Sequence, residues 1–185
     1  CCLINEKAGD LWKNGIPEKD AFYIKTVGDD IIFSGCRNRA TIYSVYHFLE
    51  KYLNAGFFWD GDSIHSIDTF VAPEIDLYEE SAFLYRFSRS GSDCNAGYTF
   101  THWWNFEQWK NEIDYLLKNK VNMARIGLGF DAVQKRAYRK MGVDNPDTKE
   151  DLQRIEAAQK VYDYCNMVGL DLVNYLPSVN VSDAF

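Results

Sequence analysis

Residues 94–143 read C-N-A-G-Y-T-F-T-H-W-W-N-F-E-Q-W-K-N-E-I-D-Y-L-L-K-N-K-V-N-M-A-R-I-G-L-G-F-D-A-V-Q-K-R-A-Y-R-K-M-G-V. An aromatic loop leads into an amphipathic helix, a buried strand and a second helix. Asn105 offers its side-chain oxygen to the first-turn amides and Gln108 can reach back, the capping-box arrangement that starts a helix. Phe106, Trp109, Ile113, Leu116 and Leu117 then recur at helical spacing along one face, to about Asn119. Val121–Leu128 is apolar enough to be a strand covered on both faces, and Asp131–Met141 follows as a short helix. Strand, loop and helix in this order make one turn of a β/α barrel, a fold that carries its chemistry in the loops after each strand.

Downstream, a longer helix is expected over Thr148–Val168, with Thr148 and Asp151 starting it and Gly169 ending it. Its inward residues are expected to be Leu152, Ile155, Ala158, Tyr162 and Cys165. Leu170–Leu176 is a third strand, followed by Pro177-Ser178-Val179-Asn180. Upstream, Phe83–Ser88 is the first strand of the series, and Ser90-Gly91-Ser92-Asp93 opens its long loop.

Before these β/α units lies a different pattern. Ala21–Val27 and Ile31–Ser34 are β-prone runs separated by Gly28-Asp29-Asp30, a hairpin signal. A helix follows Gly35, with Ile42, Val45, Leu49, Tyr52 and Leu53 as its apolar stripe and Gly56 as its stop before Phe57-Phe58-Trp59. Asp60–Glu80 is rich in Asp, Ser and Glu and contains Pro73, which suits a connection between domains, with the boundary near Tyr78. The fold class is therefore α/β. A small N-terminal α/β accessory domain (1–78) is expected to precede the first three β/α units of a TIM (β/α)8 barrel (79–185). Three units cannot close such a barrel, so its remainder is expected beyond Phe185, and the Cys1-Cys2 start likewise looks internal.

Composition narrows the function. The 185 residues carry a net charge of −7 without a Lys/Arg run, which argues against a nucleic-acid partner. No apolar run approaches the roughly 20 residues that span a bilayer, so no membrane span is expected. The five cysteines lack C-x-x-C spacing and are read as mostly reduced, with no metal site. Neither an organic cofactor nor a metal is expected.

The segment from Cys94 onward resembles the α-N-acetylglucosaminidases of glycoside hydrolase family 89. It does so through Cys94…Tyr98, Trp103-Trp104-Asn105-Phe106 and Trp109-Lys110-Asn111-Glu112-Ile113-Asp114-Tyr115. The likeness continues through Lys120-Val121-Asn122-Met123-Ala124, where the family has Gly at the first position. It extends to Gly129-Phe130-Asp131-Ala132-Val133 with Arg136 and Tyr138, where the family usually has Gly-Gln-Glu at the start. It resumes at Gln159-Lys160-Val161-Tyr162-Asp163 and Gly169-Leu170, and then at Leu176-Pro177-Ser178-Val179-Asn180. Ser92 stands where the family commonly has Asn, and a long insert after the second strand is largely absent.

The resemblance implies hydrolysis of a terminal α-linked N-acetylglucosamine or similar sugar, with retention of configuration. It also implies an extracytoplasmic setting, whether periplasm, cell surface or lysosome. Its two catalytic Glu residues are implied to come from later barrel strands, so no catalytic residue is assigned in this segment. Related readings are a β-hexosaminidase, an α-glucuronidase or a non-catalytic carbohydrate-binding protein.

Five residues are candidates for substrate contact. Cys94 and Tyr98 match family positions that line the pocket, and packing beneath the loop is their alternative reading. Trp104 can offer a ring face to a sugar, with Trp103 turned the other way or the reverse. Asp131 can bind a hydroxyl or cap the helix that follows it. Asn180 after the third strand can both donate and accept. The partner is thus expected to be a glycan or glycoside, with the rest of the same polypeptide completing the barrel.

Overall fold

The computed structural model describes residues 10–88, 104–126 and 130–173, with side chains from residue 133 onward in the last stretch. The backbone divides into two compact units, Cys1–Phe87 with Asp114–Asn122, and Ser88–Ile113 with Met123–Phe185.

In the first unit, β1 (Ala21–Val27) and β2 (Asp30–Gly35) form an antiparallel hairpin closed by the Val27–Asp30 pair. Gly28 in the turn has φ +63°, a conformation glycine adopts without penalty. The helix α1 (Asn38–Leu53) packs on one sheet face, with Phe48 edge-on to Phe33 and His47 beside Phe22. Its buried stripe is Arg39, Ala40, Tyr43, Ser44 and Phe48, whereas Val45 is exposed and Ile42, Leu49, Tyr52 and Leu53 are half-buried. The expected stripe is therefore rotated. Small Ala40 and Ser44 let the helix approach the sheet closely, and that approach outweighs the larger apolar area of the adjacent face.

The helix ends at Asn54, in the left-handed region at φ 51°, and not at Gly56, which opens β3 (Gly56–Phe58). β3 pairs with β4 (Gly61–Ser63) across Trp59-Asp60. A second correction concerns 60–80. Its last part, Asp76–Glu80, is a strand, β5, antiparallel to β1 along its length, so the first sheet has the order β2-β1-β5. The charges that make this segment look like a linker suit an exposed edge strand equally well.

A second sheet consists of β6 (Phe87–Ser88), β7 (Met123–Ala124) and β8 (Asp171–Leu172), side by side in chain order. β7 and β8 are parallel, with Met123 opposite Asp171 and Ala124 opposite Leu172. A parallel pair requires a crossover, and it is made by α3 (Phe130–Lys140) and α4 (Lys149–Val168). Helix α2 (Phe106–Lys118) joins β6 to β7. The expected strands at 83–88, 121–128 and 170–176 thus exist, with shorter described cores. Burial follows the expected face of α2: Trp109, Ile113, Leu116 and Leu117 are all 3% exposed or less.

On α4 the capping box is present, with Asp151 N donating to Thr148 Oγ1 and Thr148 N to Asp151 Oδ2, and Gly169 caps the other end at φ 77°. The inward stripe differs from expectation in its first turns: Leu152 is 57% and Ile155 37% exposed, while Asp151, Ala158, Val161, Cys165 and Val168 are buried. Asp151 is drawn inward because it serves both the cap and Lys135 on α3, and this turns Leu152 outward.

Lys120 follows α2 in the left-handed region at φ 60°. Lys120 N donates to Leu117 O at 3.0 Å and Val121 N to Leu116 O at 2.9 Å, the paired bonds of a Schellman motif with Lys120 at the position that favours glycine. Lys120→Gly removes a Cβ penalty of about 1 kcal/mol, against which stands the partly exposed Lys120–Glu50 pair, worth about 0–1 kcal/mol. Urea unfolding should find Lys120→Gly more stable than Lys120→Ala, which loses the pair and keeps the Cβ. Equal stability of the two would refute the strain.

Candidate functional site

Four of the five candidate residues follow the described strands in chain order. Cys94 and Tyr98 come between β6 and α2, Asp131 comes after β7, and Asn180 after β8. In sheets of parallel strands, ligands bind beyond the strands' carboxyl ends. Cys94, Tyr98 and Asn180 lie outside the described residues.

Trp104 stands two residues before α2. Its half-buried ring meets the buried Trp109 edge-to-face, with centroids 5.2 Å apart and planes at 73°. The helix start beside it is rigidly specified. Asn105 N donates to Gln108 Oε1 and Gln108 N donates to Asn105 Oδ1, each at 3.0 Å, so the expected capping box is complete. Phe106 packs edge-on to Tyr164 of α4 at 6.1 Å, and Lys110 Nζ lies 5.2 Å from the same ring's centroid. Trp104 is therefore carried at a capped helix N-terminus with its ring half-buried.

Asp131 needs a correction in its structural role. Helix α3 begins at Phe130, so Asp131 lies inside the first turn and does not occupy the capping position before the helix. A carboxylate there still suits the positive end of the helix dipole.

Three residues of the tryptophan helix, Trp109, Glu112 and Ile113, are packing residues. Trp109 is 1%, Glu112 7% and Ile113 0% exposed. These three residues specify how the helix sits. Cys36 and Cys165 are free thiols; burial pushes Cys165 up to about 12, which leaves it inert as a nucleophile at neutral pH.

A polar arrangement that local periodicity does not anticipate belongs to the first unit. Asp20, immediately before β1, has a side chain 1% exposed. Arg39 Nε donates to both its oxygens at 3.0 Å, Arg86 Nη2 to Oδ2 at 2.5 Å, and Asn122 Nδ2 to Oδ2 at 3.2 Å. Arg37 Nη1 stands 3.3 Å from Oδ1. Burial pushes the Asp20 carboxyl upward, but the bonds from Arg86 and the charges of Arg39 and Arg86 outweigh it and hold it below the ordinary value.

Asn122 carries the arrangement onward. Its Nδ2 donates to Leu84 O at 2.7 Å, and its Oδ1 accepts from Arg86 N at 2.8 Å. Arg86 Nε donates to Lys120 O at 2.6 Å, and Tyr43 Oη donates to Val121 O at 2.8 Å. These bonds hold residues 84–86 to residues 120–122, which lead into β6 and β7. The signal that could have revealed this was the charge of Arg86 set within the strand-like Phe83–Ser88 run, together with Asp20 beside the apolar β1. The Ser34–Asn38 turn is structural: a Cβ on Gly35 would lie 2.1 Å from Thr41 N, and Arg37 donates to Pro17 O and Glu18 O.

Among the described residues no helix is long and apolar enough to cross a membrane, and no cluster of His, Cys, Asp and Glu could hold a metal ion.

Comparison with known proteins adds the following. Residues 90–168 match the family described as the alpha-N-acetylglucosaminidase tim-barrel domain. The chain is similar to alpha-N-acetylglucosaminidase of Homo sapiens, 24% identical over 116 residues, which are 63% of this chain and 15% of that protein. Among solved structures, it is similar in fold to a family 89 glycoside hydrolase from Clostridium perfringens in complex with PUGNAc. The TM-score is 0.70 at 16% identity, over 93% of this chain and 25% of that one. A second Clostridium perfringens structure, in complex with its substrate GlcNAc-alpha-1,4-galactose, matches with a TM-score of 0.69 at 16% identity and the same coverage. The chain thus spans a quarter or less of the length of these relatives.

Proposed function

We propose, from the premise that this chain is α-N-acetylglucosaminidase-like and similar to the glycoside hydrolases of family 89, that it supplies the beginning of a retaining glycosidase. Its substrate would be a terminal α-linked N-acetylglucosamine or a closely similar sugar. The β2-β1-β5 sheet with α1 belongs to the accessory domain, and the residues after Glu80 supply the first three β/α units of the barrel. The two catalytic carboxyl groups that such hydrolysis requires come from outside this segment.

The observation that carries the reading is the coincidence of the family match at 90–168 with the β6-β7-β8 order, in which β7 and β8 are parallel. The substrate found with the second Clostridium perfringens structure supports an α-linked N-acetylglucosaminide. Cys94, Tyr98, Trp104, Asp131 and Asn180 contribute pocket wall and hydroxyl contacts, and none of them reacts. Trp104 covers a face of the sugar ring while Trp109 beneath it holds the indole in place.

The test is to assay the full-length polypeptide side by side on nitrophenyl α-N-acetylglucosaminide, nitrophenyl β-N-acetylglucosaminide and nitrophenyl α-glucuronide. Selective turnover of the first is expected. Cleavage of either of the others instead would move the protein to β-hexosaminidase or α-glucuronidase specificity. A folded protein silent on all three would overturn the enzymatic reading and leave carbohydrate binding alone.

A further inference from the structure

The face of the first sheet opposite α1 carries a row of aromatic rings that packing of the helix does not explain. Paired residues in antiparallel strands share a face, and Tyr23 of β1 stands opposite both Ser34 of β2 and Tyr78 of β5. Phe22 and Phe33, which meet α1, belong to the other face. Trp12, from a short 3-10 turn at Asp10–Trp12, lies over the Tyr23 side, where its Nε1 donates to Ser34 Oγ at 2.9 Å. The ring centroids of Trp12 and Tyr23 are 5.0 Å apart, and those of Tyr23 and Tyr78 are 4.8 Å apart. Three rings thus cross the sheet from β2 to its β5 edge. Each step is about the size of a single sugar ring. Tyr78 is 46% exposed, and Trp12 and Tyr23 are half-buried.

Polar groups lie along the same edge. Tyr78 Oη donates to Glu80 Oε2 at 2.7 Å, and Lys25 Nζ lies 3.0 Å from Asp76 Oδ2. By the pairing, Asp76, Glu80 and Lys25 all belong to the face that bears Tyr23. These groups donate and accept beside rings whose planes stand at 73° between Trp12 and Tyr23 and at 46° between Tyr23 and Tyr78. That is the chemistry that recognises a pyranose, whose C–H face stacks on a ring while its hydroxyls seek carboxylate and phenol partners. With two carboxylates against one ammonium, the edge repels polyanions.

We propose that the Trp12–Tyr23–Tyr78 row is a secondary binding face for a neutral oligosaccharide, separate from the loops that follow β6, β7 and β8. It does not depend on the catalytic reading, because binding here requires no carboxyl pair.

The test is calorimetric titration of the protein with chitotetraose, with tetragalacturonate as the charged counterpart. Binding of chitotetraose is expected, and tetragalacturonate should bind at least about tenfold more weakly. Tyr78→Ala, at an exposed edge position, should weaken chitotetraose binding about tenfold, the change expected when a stacking ring is lost. Tyr78→Phe, which keeps the ring, should lose less, and Phe58→Ala, at an exposed ring on the β3–β4 hairpin, should lose nothing.

The proposal is overturned if the folded protein does not bind chitotetraose, if Tyr78→Ala binds as well as the parent, or if tetragalacturonate binds equally. It is overturned as well if sedimentation shows a dimer that Tyr78→Arg dissociates, which would make this face a contact between copies. Failure here with turnover of the nitrophenyl sugar would leave the proposed activity standing.

Discussion

Asp20→Ala is expected to destabilise the protein by about 3–5 kcal/mol, the range for removing one partner from a buried ion pair and stranding the other. Arg39 and Arg86 would lose their shared acceptor while their side chains are 10% and 18% exposed. Asp20→Asn keeps the shape and one acceptor oxygen but removes the charge, so it should fall between the parent and alanine. Urea unfolding at neutral pH measures all three.

The same carboxylate gives the protein an acid-sensitive stability. Its folded value lies below its unfolded one, so its contribution is complete above the ordinary carboxylate range. That contribution is lost as the pH falls through the depressed folded value. The stability difference between parent and Asp20→Asn should therefore be constant near neutral pH and shrink only under strong acid. A gap that widened on acidification would contradict the assignment.

Asn122→Ala should produce the second large effect, about 3 kcal/mol or more. It removes the donors to Leu84 O and Asp20 Oδ2 and the acceptor for Arg86 N, bonds that are buried at Asp20 and part-buried at Leu84 and Arg86. Asn122 is 2% exposed, so the orphaned backbone groups gain no full replacement from solvent. Because Asn122 and Asp20 share a hydrogen bond, the double variant should cost less than the two single changes together. Strict additivity would mean that the two side chains act independently.

These two residues also mark where the sequence stopped being informative. The β1–β2 hairpin, both capping boxes and the buried face of α2 were legible, because each depends on residues within a turn or two of one another. The stripes of α1 and α4 were misjudged because apolar residues occupy two adjacent faces. The choice between them was made elsewhere, by close approach at Ala40 and Ser44 on α1, and by Asp151 reaching Lys135 on α4. Asp20 and Asn122 meet across 102 positions of chain, a separation that periodicity cannot bridge. The same holds for β5, whose charged composition reads as a linker until its partner strand is known.

At the candidate site the sequence resemblance did more than pattern analysis could. Within the stretch that carries the likeness, Trp109, Glu112 and Ile113 are buried and position the helix, while Asn111 is exposed. Trp104 is the candidate whose surroundings are described, and its contact with Trp109 ties the sugar-facing proposal to the packed helix.

The proposed retaining hydrolysis of an α-linked N-acetylglucosaminide is tested by proton NMR of the full-length polypeptide acting on GlcNAc-alpha-1,4-galactose. With retention, the α-anomer of free N-acetylglucosamine should appear first and the β-anomer later, by mutarotation. First appearance of the β-anomer, or an intact disaccharide after prolonged incubation with folded protein, would contradict it.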